Sequence, residues 1–480
     1  MRRTKIVCTI GPATNSDEQL EKLMLAGMNV ARLNFSHGTQ EGHAKVIESV
    51  RSISKRLNIP VAILQDLQGP KIRTGLLRDG QPVRLVDGAQ LTITSREVVG
   101  TSECVATTYK QLPQDVKIGD RILLDDGLLE LRVIDKNATD VHCEIVHGGL
   151  LKEHKGINLP GVAVSAPSLT EKDLADLRFG VQHGVDYVAL SFVRRPEDIL
   201  SARQQIEAIQ SELGCETAYG PIPLIAKLEK PEAVKRLDEI LRVTDGVMVA
   251  RGDLGVEMAP ESVPLIQKHI ISRCNDLDLP VITATQMLES MISNPRPTRA
   301  EASDVANAIF DGTDAVMLSA ETAAGSYPIE AVKMMDRIAR QTESEGLMNY
   351  QRHVPLLTQD RAVCHAAKAL AEEASVKYIA VFTRSGTSAQ LVSKDRPRTP
   401  IMAYTPSKEV YHRLCLWWGV WPHIIPLTGS TEELIEIVEK KLQAEHEILP
   451  GDSIVIMGGM PVASRMRTNF VRLHHIGELG

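Results

Sequence analysis

A chain of 480 residues has room for about two to four domains with buried cores, and its 43% hydrophobic and 24% charged content is that of a globular protein. A net charge of −7 excludes a general nucleic-acid surface, which needs a basic field, though a local cluster of Lys and Arg still suits a small anion. The seven cysteines form no C-x-x-C pair or Cys/His cluster, which excludes a zinc module and points to reduced core thiols.

The N-terminus "MRRTKIVCTIGPATN" turns polar too soon for the apolar core of a signal peptide. No apolar run approaches the ~20 residues that cross a bilayer. A cytoplasmic protein without a membrane partner is expected.

In chain order, the apolar runs "KIVCTIG", "MNVARLNF" and "VAILQD" read as strands, with "SDEQLEKLMLAG" between the first two as a helix of 3.6-residue period. A stretch of roughly 120 residues then separates "VAILQD" from the next such strand, far too long for one βα connection. Within it, "QPVRLVDGAQLTITS", "DRILLDDGLLELRVID" and "ATDVHCEIVHGG" alternate apolar and polar residues between Gly/Asp turns, as β-hairpins do. The strand–helix rhythm resumes with "DYVALSF", the helix "PEDILSARQQIEAIQSEL", "PLIAKLE", "GVMVARGD", "PVITATQM" and "AVMLSAE". Eight such units are the number that closes a (β/α)₈ TIM barrel. The expected barrel covers 1–70 and 168–345, with an inserted, small β-barrel-like lid domain at 71–167. A further series, "YIAVF", "PIMAY", "HIIPL" and "SIVIMGG", makes 346–480 a C-terminal open α/β domain.

In a barrel of this kind, polar residues at the C-terminal strand ends converge on one mouth. They are Arg32, Asn34 and Ser36; Asp66; Ser191; Lys227 and Glu229; Arg251, Gly252 and Asp253; Thr285 and Gln286; Ser319 and Glu321. Lys227 and Glu229, two apart on a strand, share a face. That pairing suits either a metal with an anionic substrate or a buried ion pair. Asp253 with Glu229 offers two carboxylates for Mg²⁺, unless Asp253 only caps a helix. Gly252 permits close backbone approach to a ligand, and a helix starting there offers free N–H groups to an anion. Arg32 suits a phosphate. His37 is either a ligand or a loop histidine bonded to its own backbone. There is no G-x-x-x-x-G-K-[ST] loop, H-R-D or D-F-G set, G-x-S-x-G elbow or H-E-x-x-H helix.

The segments "TIGPAT", "ARLNFSHG", "GPKIRTG", "KGINLPG", "ARGDLGVE", "TATQMLESM", "NPRPTRAEASDVANA" and "DAVMLSAET" resemble the pyruvate kinase family, in order and along the whole chain. The resemblance implies Mg²⁺-dependent transfer of the phosphoryl group of phosphoenolpyruvate to ADP, with Mn²⁺ as an alternative metal. It implies that Lys227 stabilises the transferring phosphoryl, Arg32 holds the substrate phosphate, and Glu229 and Asp253 ligate the metal. The Gly252 and Asp253 amides, Thr285 and Ser191 would bind the rest of the substrate. Thr285, Ser319 and Glu321 would form the proton relay. Arg73, Lys155, Asn34 and His37 would contact the nucleotide, and the assembly would be a homotetramer.

One place departs from the K⁺-dependent members. Their Asp-Thr-Lys-Gly-Pro-Glu reads here Asp66-Leu67-Gln68-Gly69-Pro70-Lys71. They hold K⁺ with groups matching Asn34, Ser36, Asp66 and the residue-67 carbonyl. An ammonium at 71 would repel K⁺ by at least ~1 kcal/mol at contact distance and supply the positive charge itself. K⁺ is therefore expected to be dispensable; the plainer reading is a solvated lysine.

In "AVFTRSGTSAQLV", the loop Thr383, Arg384, Ser385, Gly386, Thr387 and Ser388 before a helix has phosphate-binding geometry, or is simply a capped turn. It matches the family's effector loop. The second effector loop of the fructose-bisphosphate-regulated members is poorly matched by "MGGMPVASRMRTN", which favours AMP or a sugar monophosphate. The competing readings are a Mg²⁺-dependent aldolase or lyase and a phosphometabolite sensor that has lost catalysis. A lyase has no use for an ADP site, and the sensor should lack Lys227, Glu229, Asp253 or Thr285.

Overall fold

The computed structural model describes residues 1–344, 358–445, 448–460 and 466–478. Eight parallel strands close a barrel: Lys5–Ile10, Val30–Asn34, Ala62–Asp66, Tyr187–Leu190, Leu224–Leu228, Gly246–Ala250, Val281–Ala284 and Ala315–Leu318. The first strand pairs with both the second and the eighth, which leaves no open edge. Alternation sorts the side chains. Val7, Val30, Leu64, Ile225, Met248 and Ile282 pack inside the barrel, while Ile6, Cys8, Ala31 and Ile63 face the helices.

The surrounding helices carry local signals strong enough to set their ends. Ser16 accepts from Gln19 N–H at the start of Asp17–Ala26, and Gly27, at φ 118°, ends that helix in a conformation glycine tolerates. Thr170 with Asp173 and Thr298 with Glu301 make reciprocal capping boxes on Glu171–Gln182 and Arg299–Phe310.

Between the third and fourth barrel strands lie eight short strands, arranged as a six-stranded and a two-stranded sheet around a shared core that includes Leu91, Leu131 and Ile145. Arg194, past the fourth strand, donates to the carbonyls of Val164 and Ala166 and so fastens the returning chain. On the far side, Asn158 Nδ2 donates to Glu257 at 2.9 Å, joining the insertion to the barrel.

The C-terminal sheet has strands Tyr378–Phe382, Ile401–Thr405, Val420–Ile424, Ser453–Gly458 and Phe470–His475. Two expectations need correction. The run "HIIPL" is not the third strand, which spans Val420–Ile424; Pro426 offers no N–H to carry it further. Pro422 is accommodated because this strand lies at the sheet edge. The last strand, Phe470–His475, was not anticipated, and it runs antiparallel to Ser453–Gly458. The expected boundary at 345/346 and residues 461–465 of "MGGMPVASRMRTN" lie outside the described residues.

Candidate active site

Asp66 ends the third strand fully buried, so its charge requires partners. Arg32 Nε donates to it at 2.7 Å, and Lys227 Nζ stands 3.2 Å from its other oxygen. Burial pushes the carboxyl upward, but Lys227 and Arg32 outweigh it and hold Asp66 below the usual range. Lys227 also donates to Ser191 Oγ at 2.7 Å and pairs with Glu229 at 2.9 Å. Burial alone would lower its pKa, yet Asp66 and Glu229 raise it, so Lys227 stays charged. Arg32, Asp66, Ser191, Lys227 and Glu229, from four strands, thus form one hydrogen-bonded cluster.

Glu229 accepts from Phe192 N–H at 2.8 Å. Burial and the nearby Asp253 carboxylate push its pKa up against the pull of Lys227. Asp253 itself lines the cleft and makes no ion pair among the described residues. Two carboxylates that disfavour each other's charge, one of them unpaired, are a donor set that a divalent cation relieves. Among the described residues no group of three or more His, Cys, Asp or Glu stands at metal-binding geometry. The residues therefore fit Mg²⁺, which needs few protein oxygens, and not a closed protein cage.

His37, Lys71, Arg73, Lys155 and Asp253 line a cleft of about 400 Å³ between barrel and insertion. Burial, reinforced by Lys71, Arg73 and Arg32, holds His37 below the ordinary histidine range. Lys155 pairs with Asp125 at 2.7 Å. A neighbouring pocket of about 530 Å³ is lined by Arg32, Asn34, His37 and Ser319, and His37 borders both.

Lys71 is not a partner of Asp66, whose cations are Arg32 and Lys227. It forms no ion pair among the described residues. Burial and then Lys227 lower its pKa, while Asp253 and Glu229 oppose the shift. Most oxygens matching the K⁺ site already face donors of the chain. Asn34 Oδ1 accepts from Ser36 N–H at 3.1 Å, and the Leu67 carbonyl from Ser191 Oγ at 2.7 Å.

Thr285 and Gln286 adopt φ of 67° and 54°. A β-branched residue there is strained, at about 1–3 kcal/mol. Thr285 Oγ1 accepts from Gly252 N–H at 2.7 Å and donates to the Ala284 carbonyl at 2.6 Å. The Gly252 amide is thus engaged by Thr285 and does not face the mouth free. A Cβ at 252 would meet Thr285 Oγ1 at 3.3 Å, so the glycine serves that contact. Glu321 likewise does not open to the mouth: it accepts from the backbone of Ser319 at 2.7 Å and Leu288 at 3.2 Å, and burial raises its pKa. The Ser319 hydroxyl is buried without a hydrogen-bond partner. Arg251 lines neither cavity; it turns back onto the 284–286 backbone.

Sequence reasoning passed over Thr9, whose hydroxyl accepts from Arg32 at 2.9 Å. Its place near the end of the first strand is the same signal that singled out the others. Asp126 of the insertion also lines the cleft, as do Arg194 and Lys230, which lie just past the fourth and fifth barrel strands.

The chain matches the pyruvate kinase barrel-domain model over residues 1–332 and the pyruvate kinase alpha/beta-domain model over 361–474. It is 48% identical to the pyruvate kinases of Staphylococcus saprophyticus and Geobacillus stearothermophilus, over 100% of this chain and 81% of each relative. A crystal structure of a Cryptosporidium parvum pyruvate kinase superposes with a TM-score of 0.91 at 37% identity, covering 99% of this chain and 96% of that one. No described helix is long and apolar enough to cross a membrane. On this evidence the chain belongs to the pyruvate kinase family.

Proposed function

We propose that the chain transfers the phosphoryl group of phosphoenolpyruvate to ADP, forming pyruvate and ATP. The observation that carries this reading is the buried cluster of Arg32, Asp66, Ser191, Lys227 and Glu229 at the barrel mouth, opening beside a cation-lined cleft. Phosphoryl transfer asks chiefly for in-line positioning and neutralisation of spread negative charge. Lys227, held charged by two carboxylates, faces the transferring group, and Arg32 grips the substrate phosphate. Arg73, Lys155, Asn34 and His37 orient ADP along the two cavities, Lys155 leaving Asp125 for the phosphates.

Glu229 and Asp253 would hold Mg²⁺, which supplies charge neutralisation at the substrate and phosphoryl oxygens. Mn²⁺ suits the same donors. The substrate carboxylate lies against Thr285 and the Asp253 amide, the Gly252 amide being held by the Thr285 hydroxyl. As the P–O bond breaks, a β-phosphate oxygen of ADP forms the new bond and the enolate keeps its electron pair. A proton carried by water on Thr285 then adds to the methylene carbon, and the enolate oxygen becomes the carbonyl of pyruvate. Ser319 supports that water, and Glu321 fixes the backbone beneath it.

The reaction needs no K⁺ in this reading. Asn34 Oδ1, the Leu67 carbonyl and Asp66, which would hold the ion, already have donors, and Lys71 adds a positive charge at the mouth. The C-terminal domain takes a phosphorylated activator, AMP or a sugar monophosphate. The support is a cavity of about 550 Å³ lined by Thr383, Arg384, Ser385, Thr387 and Ser388, with Gly386 at φ 92° turning the loop into the helix. The assembly is a cytoplasmic homotetramer.

The test is pyruvate formation from phosphoenolpyruvate and ADP with Mg²⁺, in buffer free of K⁺ and NH₄⁺, followed by KCl. Full activity before KCl is expected. Strong activation by KCl would keep the reaction and reject the role of Lys71, and no activity in either buffer would reject the reaction.

A further inference from the structure

Arg251 reads in sequence as one of the strand-end residues that converge on the mouth, but its guanidinium is committed elsewhere. The residue is 8% exposed. Its Nη2 donates to the carbonyls of Thr285 at 2.7 Å and Gln286 at 3.2 Å. Its Nε reaches the carbonyls of Thr285 at 3.3 Å and Ala284 at 3.4 Å. Its Nη1 donates to Asp304 at 2.6 Å and Gln267 at 3.3 Å. Every nitrogen therefore has an acceptor, and none is left for substrate.

Besides Ala284, the carbonyls it gathers belong to the two consecutive left-handed residues, Thr285 and Gln286. Such a turn persists only where its surroundings over-determine it. A planar fork that spans several carbonyls does this, and a single ammonium cannot. From the other side, Gly252, the next residue after Arg251, donates its N–H to the Thr285 hydroxyl. One short segment thus grips both the backbone and the hydroxyl of Thr285. Asp304, 39% exposed on its side chain, anchors the outer end of the clamp on helix Arg299–Phe310.

We propose that Arg251 is a positioning residue for proton delivery: with Asp304 it holds the strained Thr285–Gln286 turn, so that the Thr285 hydroxyl stays aimed for protonation of the enolate carbon. This rests on the reading of Thr285 given above. With phosphoenolpyruvate saturating, so that Thr285's part in binding the carboxylate is met, the clamp bears on protonation more than on phosphoryl transfer, because it touches the turn and not Lys227 or Arg32.

The test compares the full-length enzyme with Arg251→Lys, Arg251→Met and Asp304→Asn. Two rates are measured with Mg²⁺: ATP formation from phosphoenolpyruvate and ADP, and exchange of the pyruvate methyl hydrogens with D₂O in the presence of ATP, followed by NMR. The expected result is a drop of at least tenfold in the ratio of exchange to ATP formation for both Arg251 variants, with KM for ADP within twofold of the parent. Asp304→Asn, altered at a partly exposed side chain, should lower the ratio about threefold while remaining folded. It therefore decides the matter if the buried substitutions do not fold. Parallel loss of both rates, or an unchanged ratio in Asp304→Asn, overturns the proposal. An inactive parent enzyme would instead reject the underlying reaction, so the two failures are distinguishable.

Discussion

Lys5 opens the first barrel strand, yet its side chain is buried against the C-terminal sheet. It donates to the Val420 carbonyl at 2.5 Å and lies 4.9 Å from the centre of the Trp421 ring. No carboxylate stands within ion-pair distance among the described residues, and burial lowers its pKa from 10.5 to about 7. Between those two values the unfolded chain carries a proton that the folded chain has released. Stability therefore rises with pH across that window. Between pH 6 and pH 9 only the two units above the folded value count, and at ~1.4 kcal/mol per unit they amount to about 2.7 kcal/mol.

Lys5→Met keeps the length of the side chain and removes the ionisable group. The assay is urea denaturation of parent and variant at both pH values, followed by tryptophan fluorescence. The three tryptophans all lie at 417, 418 and 421, so the signal reports this interface directly. The stability of the variant relative to the parent should be greater at pH 6 than at pH 9 by about 2–3 kcal/mol. A difference that does not change with pH, or that changes in the opposite sense, would refute the idea of a buried amine without a counter-ion.

If Lys71 supplies the monovalent charge as proposed, Lys71→Glu should make kcat rise at least tenfold with KCl where the parent's does not, measured as pyruvate formation across a KCl series. Asp253→Asn should raise the Mg²⁺ concentration for half-maximal rate at least tenfold, and chelation should abolish turnover of the parent. Lys394 and Asp314, both fully buried, meet at 2.6 Å where the C-terminal domain docks beneath the barrel. Lys394→Met leaves that carboxylate short of one cation and should cost about 3–5 kcal/mol in urea denaturation. Ser385→Ala with Thr387→Ala should raise the half-saturating AMP or sugar-monophosphate concentration at least tenfold in an activation assay.

The barrel was legible because its signals are local and repeated. Apolar runs of strand length, capped helices such as Asp17–Ala26, and a regular spacing leave little freedom in how the units join. The strand ends were legible for the same reason, since topology alone brings Asp66, Lys227 and Glu229 to one mouth. The last strand, Phe470–His475, was not, because its burial follows from pairing with Ser453–Gly458 and not from its own pattern; most of its residues are only partly buried. The third C-terminal strand was misplaced because "HIIPL" is the more apolar run, while pairing with Ile401–Thr405 selects "VWPHI".

Side-chain direction is the harder limit. Arg32 and Arg251 are both buried arginines at strand ends, and in sequence the two are equivalent. What separates them is the backbone each one meets. Arg32 reaches a carboxylate and a hydroxyl, Asp66 and Thr9, beside an open cavity. Arg251 reaches the carbonyls of a left-handed turn that no local pattern announces, since Thr285 and Gln286 both disfavour positive φ. The turn exists because the clamp and the Gly252 amide stabilise it, and the clamp is recognisable only once the turn exists. That mutual dependence is tertiary, and it falls where the reading places proton delivery, which is where local rules are expected to give way to function.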